Sequence, residues 1–265
     1  LNERVLLSIS MLLTGLFLLP ALFFTGFPTL QEGFWVAFGV TIVLNLVSQT
    51  LFVYALKLSE ASLVGPLRLI IPPLVIITGF IFLGERPSLA GVLGIAVTMI
   101  GLWFLITSDN SVTPRVLFNK LRTDKGLVFG LLGSVLFAVS FPFDNKVVVA
   151  SSALFASAFI FFTLGIVMAV WYTIRNREFL REVNEGVRKF TLPLIVISLC
   201  FSVGAVLTNQ ALNYSLAVYA SSLKRLQALW TVILAGKLLE EEKAKRRLVA
   251  ASVMFVGILL TVLWR

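Results

Sequence analysis

Two adjacent cations, Lys224 and Arg225, interrupt the apolar segment SSLKRLQALW at residues 221–230. Ammonium and guanidinium groups donate strong, charge-assisted hydrogen bonds to carboxylates and phosphates. On a helix the two side chains would lie about 12–13 Å beyond the start of the apolar run at residue 216, and they would point about 100° apart. Within a bilayer a charge at that depth costs about 2.5–3.5 kcal/mol unless it faces a cavity or a partner. The pair therefore predicts a polar cavity that binds anionic groups.

A third cation, Arg68, lies six residues into another apolar run. Two interpretations of Arg68 remain open at this stage. Its side chain lines the same cavity, or its long stem carries the guanidinium out to the interface.

Uncharged polar residues lie at similar depths in the apolar runs, and we expect them to line the cavity or to form hydrogen bonds between helices. These candidates are Asn45, Gln49, Asn209, Gln210, Gln227 and Ser221, with Trp230 as an aromatic residue that lines the cavity or packs. Pro66, Pro72 and Pro73 interrupt one run, where they free backbone carbonyls for a gating movement or for a static bend. The prediction for this site includes no catalytic residue and no metal ligand.

The composition is that of a membrane protein. Hydrophobic residues make up 58% of the chain and charged residues only 13%, whereas about 25% is usual in soluble domains. The absence of histidine and the single cysteine, Cys200, disfavour most metal-dependent and nucleophilic enzymes. We therefore expect a protein that is not an enzyme and needs no cofactor, although a proton is a possible coupling ion.

Nine apolar runs are long enough, or nearly so, to cross a bilayer as helices. They cover residues 5–25, 34–56, 62–83, 88–107, 126–143, 152–174, 191–212, 216–238 and 248–264. The longer polar connections, 108–125 and 175–190, carry many of the charges. The predicted fold class is an all-α polytopic membrane protein.

An internal repeat divides the chain. Shifted by 156 positions, Ala55-Leu56 matches Ala211-Leu212, Arg68 matches Lys224, Glu85 matches Glu241 and Gly101 matches Gly257, without a gap. The start, LNERVLL, also resembles FDNKVVV at 143–149. We therefore predict two five-helix repeats, 1–107 without its first helix and 126–265, joined by a loop at 108–125. Five crossings reverse the direction of the chain, so the repeats are expected to be inverted.

The distribution of Lys and Arg predicts the orientation. Fifteen of these residues fall on one side of the predicted topology and three, Arg86, Lys146 and Arg265, on the other. Because cytoplasmic loops are rich in Lys and Arg, the segments 108–125, 175–190 and 239–247 are predicted to be cytoplasmic. The Lys and Arg residues of these cytoplasmic segments then account for most of the positive net charge, and no nucleic-acid partner is expected.

The segment YALKLSEASLVGPLRLIIPPLVIITGFIFLGERPSLAGVLGIAVTMIGLWFL, Tyr54 to Leu105, resembles the EamA-type repeat of the drug/metabolite transporter superfamily. The residues that carry the resemblance are Ala55-Leu56, Glu60-Ala61-Ser62, the prolines, the Leu83-Gly84-Glu85-Arg86 turn and the glycine-rich helix that follows. A second, more divergent copy, in which Leu239-Glu240-Glu241 replaces the Leu-Gly-Glu turn, covers Ala211 to Trp264. The resemblance implies a ten-helix secondary transporter with a central cavity that works by alternating access. Many relatives keep both termini in the cytoplasm, whereas the charge distribution here predicts an external C-terminus.

The predicted substrate is a small anionic or zwitterionic metabolite, such as an amino acid, an organic acid or a phosphorylated compound. Exporters of lipophilic cations need a carboxylate within the membrane. The other apolar runs contain no Asp or Glu away from their ends, so the only candidate is Asp144, which lies close to Lys146. A Lys-Arg pair in the penultimate helix is also a feature of the plastid phosphate-sugar translocators, which are distant relatives. The alternatives are an exporter of quaternary cations and a membrane enzyme acting on phosphorylated, lipid-linked substrates. Expected partners are the substrate and the lipid bilayer of the inner or plasma membrane, and pairing with a second copy of the chain is left open.

Overall fold

The computed structural model describes residues 3–106, 114–176, 178–224 and 244–263, and all regular structure in these ranges is helical. The helices are α1 (Glu3–Thr25), α2 (Phe34–Leu58), α3 (Ala61–Leu67), α4 (Ile71–Leu83), α5 (Leu89–Ile106), α6 (Pro114–Leu121), α7 (Lys125–Val149), α8 (Ala153–Arg175), α9 (Phe179–Tyr214), α10 (Ala217–Leu223) and α11 (Ala244–Leu263). A 3₁₀ turn, Arg68–Ile70, joins α3 to α4. The predicted fold class is confirmed.

Among the described residues, six apolar segments are long enough to cross a membrane: α1, α2, the combined segment Leu63–Leu83, α7, α8 and α9. Two shorter apolar helices cover Leu89–Phe104 and Ser252–Thr261. Large apolar side chains such as Ile81 and Leu207 are exposed within these spans, as expected when the surrounding solvent is lipid. The protein is therefore an integral membrane protein. Most of the predicted span at 216–238 lies outside the described residues.

Two helices extend well beyond their predicted limits. The span expected to end at Phe143 continues through Asp144 and Lys146 to Val149. The polar segment expected at 175–190 is largely helical and forms the start of α9, which deviates from helical geometry at Phe190 (φ −124°, ψ 29°). Pro193 explains this kink, because proline has no N–H to donate and its ring clashes with the carbonyl four residues earlier.

Local capping explains where several helices begin and end. Ser152 precedes α8, and its hydroxyl accepts the backbone N–H of Phe155 at 3.2 Å. Gly84 follows α4 with φ +68°, a left-handed conformation that glycine adopts without a steric penalty. The N–H groups of Gly84 and Glu85 then donate to the carbonyls of Phe80 and Gly79.

Contacts divide the chain into two compact units, and both units contain helices from both predicted repeats. Unit one consists of Leu1–Val47 and Phe143–Tyr214, and unit two consists of Ser48–Pro142 and Ser215–Arg265. The division falls inside α2 and inside α7. In unit one α1 packs against α8, and in unit two α4 packs against α10 and α5 packs against α11. The order of helices in the predicted repeats pairs α1 with α8 and α5 with α11, whereas the counterpart of α10 is α3, which precedes α4. The proposed repeat boundaries themselves stay a prediction.

Reciprocal glycine contacts join α1 and α8 in unit one. A Cβ atom on Gly15 would lie 2.5 Å from the backbone of Phe162, and one on Gly165 would lie 2.4 Å from the backbone nitrogen of Leu12. Gly15 and Gly165 are 150 positions apart, as are Leu12 and Phe162. Each glycine thus faces the backbone three residues before the other glycine, so the contacts between α1 and α8 are reciprocal.

The α5–α11 pair of unit two repeats this arrangement. A Cβ atom on Gly101 would lie 2.6 Å from the backbone nitrogen of Met254, and one on Gly257 would lie 2.5 Å from that of Thr98. Both equivalent pairs are separated by the 156 positions of the sequence repeat. Glycine at these positions lets the helix backbones approach closely, which is the usual way in which membrane helices associate.

Candidate functional site

Arg68 lies at the point where one membrane span is broken. The seven-residue helix α3 ends at Leu67, and Arg68 begins the 3₁₀ turn that leads into α4. Its guanidinium carbon lies 4.0 Å from the centroid of the Phe52 ring, within the range of a cation–π interaction. The side chain is exposed, and it forms no ion pair with a carboxylate in the described part of unit two.

Lys224 occupies the equivalent position in the second repeat. The helix α10, Ala217–Leu223, also has seven residues, and Lys224 follows it as the C-cap. Its ammonium nitrogen lies 5.3 Å from the centroid of the Phe137 ring, and the residue is half-buried. A cation is favoured here because the last carbonyls of a helix carry partial negative charge.

The two rings that these cations contact, Phe52 and Phe137, lie at the same stretch of α7. A Cβ atom on Gly133 would lie 3.3 Å from the Phe52 ring, so Phe52, which contacts Arg68, packs on α7 at Gly133. Phe137, which contacts Lys224, follows one turn later on the same face of α7, about 6 Å along the axis. Within unit two, Arg68 is therefore linked to α7 through Phe52, one turn from the Phe137 ring that Lys224 contacts.

Prolines explain the break beside Arg68. Pro72 and Pro73 occupy the first turn of α4, and their missing N–H groups remove the bonds that would continue the helix back to Arg68 and Leu69. The carbonyl of Arg68 accepts the N–H of Ile71 instead. Pro66 lies inside α3. A gating role for these prolines stays a prediction.

Asn45 and Gln49 lie one turn apart on α2 but fall on either side of the division between the units. Asn45 is buried, and its Nδ2 donates to the Thr41 carbonyl at 3.0 Å and to Oδ1 of Asp144 at 3.3 Å. Gln49 is half-buried in unit two. Beside it, the hydroxyl of Ser48 donates to the Gly133 carbonyl at 2.8 Å, which is a contact between helices.

The remaining polar candidates that the structure describes form local hydrogen bonds. Asn209 is buried, and its Nδ2 donates to the Ser157 hydroxyl at 2.9 Å. Gln210 is exposed, and its Nε2 lies 3.4 Å from the hydroxyl of Tyr214 on the same helix. Ser221 is fully buried, with its hydroxyl donating to the Val218 carbonyl at 2.7 Å. For Asn209 these contacts favour a role as a link between helices.

Three predicted site residues, Arg225, Gln227 and Trp230, lie outside the described residues. Their assignment to the cavity stays a prediction from sequence.

The sequence did not predict the junction between the α4–α5 connector and α10. Oε1 of Glu85 accepts the N–H of Ala217 at 2.7 Å, and the Tyr219 hydroxyl accepts the N–H of Ser88 at 3.0 Å. Burial raises the pKa of the Glu85 carboxyl, and the N–H groups of Ala217 and Val218 act in the opposite direction. Glu85 precedes α5 in the chain, but its carboxylate caps the start of α10. In the sequence, the only indication of this junction was the Leu83-Gly84-Glu85-Arg86 turn.

The comparisons with known proteins agree with this architecture. A solved structure described as "Crystal structure of protein" is 12% identical in sequence and superposes with a TM-score of 0.74, covering 99% of this chain and 88% of that one. At this identity the likeness concerns the fold alone. No curated protein matches the chain.

A family model provides the functional classification. The model described as the EamA-like transporter family matches residues 3–107 and 124–263, which is nearly the whole chain. The first matched segment contains the broken span with Arg68, and the second contains α10 with Lys224 at its end. The chain therefore belongs to the EamA-like transporter family.

Proposed function

We propose that the protein is a secondary transporter, an exporter or exchanger, that moves a small anionic or zwitterionic metabolite by alternating access. Amino acids, organic acids and phosphorylated compounds are the substrate classes that this proposal covers. The observation that carries it is that Arg68 and Lys224 follow two equivalent seven-residue helices and that each contacts a phenylalanine ring at neighbouring turns of α7.

The aromatic contacts support a role in binding. A cation on the face of a phenylalanine ring is stabilised by the ring quadrupole. The ring offers no hydrogen-bond acceptor, so the contact leaves N–H groups of Arg68 available to an incoming oxyanion. Arginine and lysine bind carboxylates and phosphates through such donors. Oxyanion binding between the two cations would thus use groups already held in position.

Broken helices provide the means for movement. Transporters with inverted repeats commonly bind substrates where membrane helices are interrupted. Here the interruption after α3 separates a short segment that carries Arg68 from the longer α4. We propose that these short segments, α3 and α10, change position during the transport cycle.

The test is uptake by the full chain reconstituted into liposomes, with amino acids, dicarboxylates, sugar phosphates and quaternary ammonium ions as candidate substrates. We expect transport of an anion or zwitterion, and we expect Arg68→Gln and Lys224→Gln each to raise its KM by about tenfold or more. The reason is that a hydrogen bond to a charged group contributes about 1.5–3 kcal/mol.

Matched controls are Arg122→Gln and Lys189→Gln. Arg122 lies 5.4 Å from the Phe118 ring and Lys189 lies 5.6 Å from the Phe190 ring, and both cations are exposed. These variants should transport normally. Transport of quaternary cations that is unaffected by both site substitutions would refute the anion proposal and favour a cation exporter.

A further inference from the structure

The α4–α5 connector holds the start of α10 through two polar contacts, which we call the connector contacts. Oε1 of Glu85 accepts the backbone N–H of Ala217 at 2.7 Å. The hydroxyl of Tyr219 accepts the backbone N–H of Ser88 at 3.0 Å and lies 3.4 Å from the Ser88 hydroxyl. Both contacts lie at the first turn of the seven-residue helix that ends beside Lys224. The partners are 132 and 131 positions apart in the chain, so only the tertiary fold joins them.

Glycines shape the connector so that these contacts form. Gly84, with φ +68°, ends α4, and the N–H of Glu85 then donates to the Gly79 carbonyl at 3.2 Å. A Cβ atom on Gly79 would lie 3.0 Å from Oε2 of Glu85, so the carboxyl group lies directly against α4. A Cβ atom on Gly91, in the first turn of α5, would overlap the Tyr219 hydroxyl. Gly79 and Gly91 thus leave the space that the two polar side chains occupy.

Glu85 supplies an acceptor that α10 lacks by itself. The first N–H groups of a helix have no acceptor within that helix, and Leu216, which precedes α10, provides no side-chain cap. Ala217 is fully buried, so its N–H is costly to leave unpaired away from water. A hydrogen bond to an ionised carboxylate is also stronger than one to a neutral group. The start of α10 is therefore expected to leave the connector only when water replaces Glu85.

Beyond its first turn, α10 carries side chains that suit a movable segment. Ala220, Ser221 and Ser222 are small and buried. The hydroxyls of Ser221 and Ser222 both donate to the Val218 carbonyl, at 2.7 Å and 3.1 Å. These two hydrogen bonds lie within α10 and do not tie it to a neighbouring helix. The connector contacts, in contrast, must break before the start of α10 moves away from α4 and α5.

We propose that Glu85 and Tyr219 are positioning residues of the transporter, which fasten α10 to the α4–α5 connector in one position of its movement and release it in the other. This inference rests on the proposed transport function. Lys224 lies about 10 Å from Ala217 along the helix, so a shift of so short a helix carries the ammonium group with it. Neither positioning residue contacts the substrate; both act through the place of α10.

Thiol labelling of the purified full chain tests this role without a substrate. In a Cys200→Ser background, Ser222→Cys places a thiol at a fully buried position of α10. We expect Glu85→Ala to raise its labelling rate by about tenfold, because a hydrogen bond to a charged group is lost. Glu85→Gln should keep labelling slow, since the amide oxygen still accepts the N–H of Ala217.

Two further variants make the labelling decisive. Tyr219→Phe removes only the hydroxyl, so it tests the second contact even if Glu85→Ala does not fold, and it should raise the labelling rate several-fold. Arg86→Gln is the matched control and should label slowly, because Arg86 is exposed and lies 5.9 Å from the Phe80 ring. A rate that neither Glu85→Ala nor Tyr219→Phe raises, or that Arg86→Gln raises equally, would overturn the proposal.

Transport kinetics separate this inference from the proposed function. In liposomes Glu85→Ala should lower the maximal rate about tenfold and change KM by no more than about threefold, because the groups that bind substrate are intact and the return of α10 to the connector is impaired. Glu85→Gln should recover most of the maximal rate. An equal loss in both variants, or a rise in KM like that expected of Lys224→Gln, would refute the positioning role and leave the transport function standing. Labelling as expected without transport of any tested metabolite would refute the proposed function alone.

Discussion

At the scale of single residues, Asp124 shows how one side chain sets the start of a membrane helix. Its Oδ1 accepts the backbone N–H groups of Gly126 at 2.8 Å and Leu127 at 3.3 Å, at the first turn of α7. The hydroxyl of Ser59, which follows α2, donates to the same oxygen. The hydrogen bond from Ser59 is the main cause of a lowered pKa of the Asp124 carboxyl. Burial opposes this effect, while the two N–H groups and the charge of Lys120 add to it.

This lowered pKa predicts a pH-dependent contribution to stability. Because the folded-state pKa lies below the unfolded value of about 3.9, the contribution is complete above that value and is lost as the pH falls through the folded-state pKa. Asp124→Ala should lower the free energy of unfolding by about 1 kcal/mol at neutral pH, whereas Asp124→Asn should cost less because asparagine also caps helices. Unfolding in detergent, followed over acidic pH, is the measurement. An equal loss in both variants would contradict the capping role.

At the scale of helices, close packing depends on positions where no side chain fits. Gly15 and Gly165 in unit one, and Gly101 and Gly257 in unit two, each face the backbone of the equivalent helix. Gly39 and Gly204 lie in the same kind of membrane helix but have open space where a Cβ atom would be. The difference between these two groups is invisible in composition, since both are glycines in apolar runs.

Alanine at the two groups of glycines should therefore act differently. Gly15→Ala and Gly165→Ala should each destabilise the protein by about 1–3 kcal/mol, because the added methyl group forces two backbones apart. Gly39→Ala is the matched control, and it should be neutral or slightly stabilising because alanine favours helix. Thermal unfolding midpoints in one detergent would compare them. A loss with Gly39→Ala as large as with Gly15→Ala would show that helix packing is not responsible.

At the scale of the whole molecule, contacts within each unit agree with the grouping of charges by side. In unit one the guanidinium carbon of Arg4 lies 5.7 Å from the ring of Tyr172, next to the end of α8 at Arg175. In unit two Ser59, which closely follows Lys57, contacts Asp124, which precedes Lys125. Cations that the sequence assigns to one side of the membrane thus share one end of their unit. Whether that side is cytoplasmic stays a prediction.

Cysteine labelling in intact cells tests this orientation. In a Cys200→Ser background, Lys120→Cys should be protected from a membrane-impermeant thiol reagent, and Arg86→Cys should react. The physical reason is the retention of Lys- and Arg-rich loops in the cytoplasm. Labelling after permeabilisation controls for reactivity at both sites. Reaction of Lys120→Cys in sealed cells, together with protection of Arg86→Cys, would reverse the orientation.

The sequence alone determined the membrane class, the positions of most spans, the repeat and the family. Long apolar runs have few solutions in a bilayer, because every backbone polar group must be bonded internally. The repeat also predicted that Lys224 and Arg68 occupy equivalent places, and the structure shows this through two seven-residue helices that each end beside a cation.

Only the tertiary structure decided which polar groups meet. It paired Arg68 with Phe52 and Lys224 with Phe137, it directed Glu85 to α10, and it carried Asp144 to the middle of α2. The sequence places a residue by its distance from the end of its own helix, whereas the depth of a side chain also depends on the neighbouring helix that it contacts. That neighbour is chosen by packing between distant parts of the chain, and residue spacing along one helix does not contain this information.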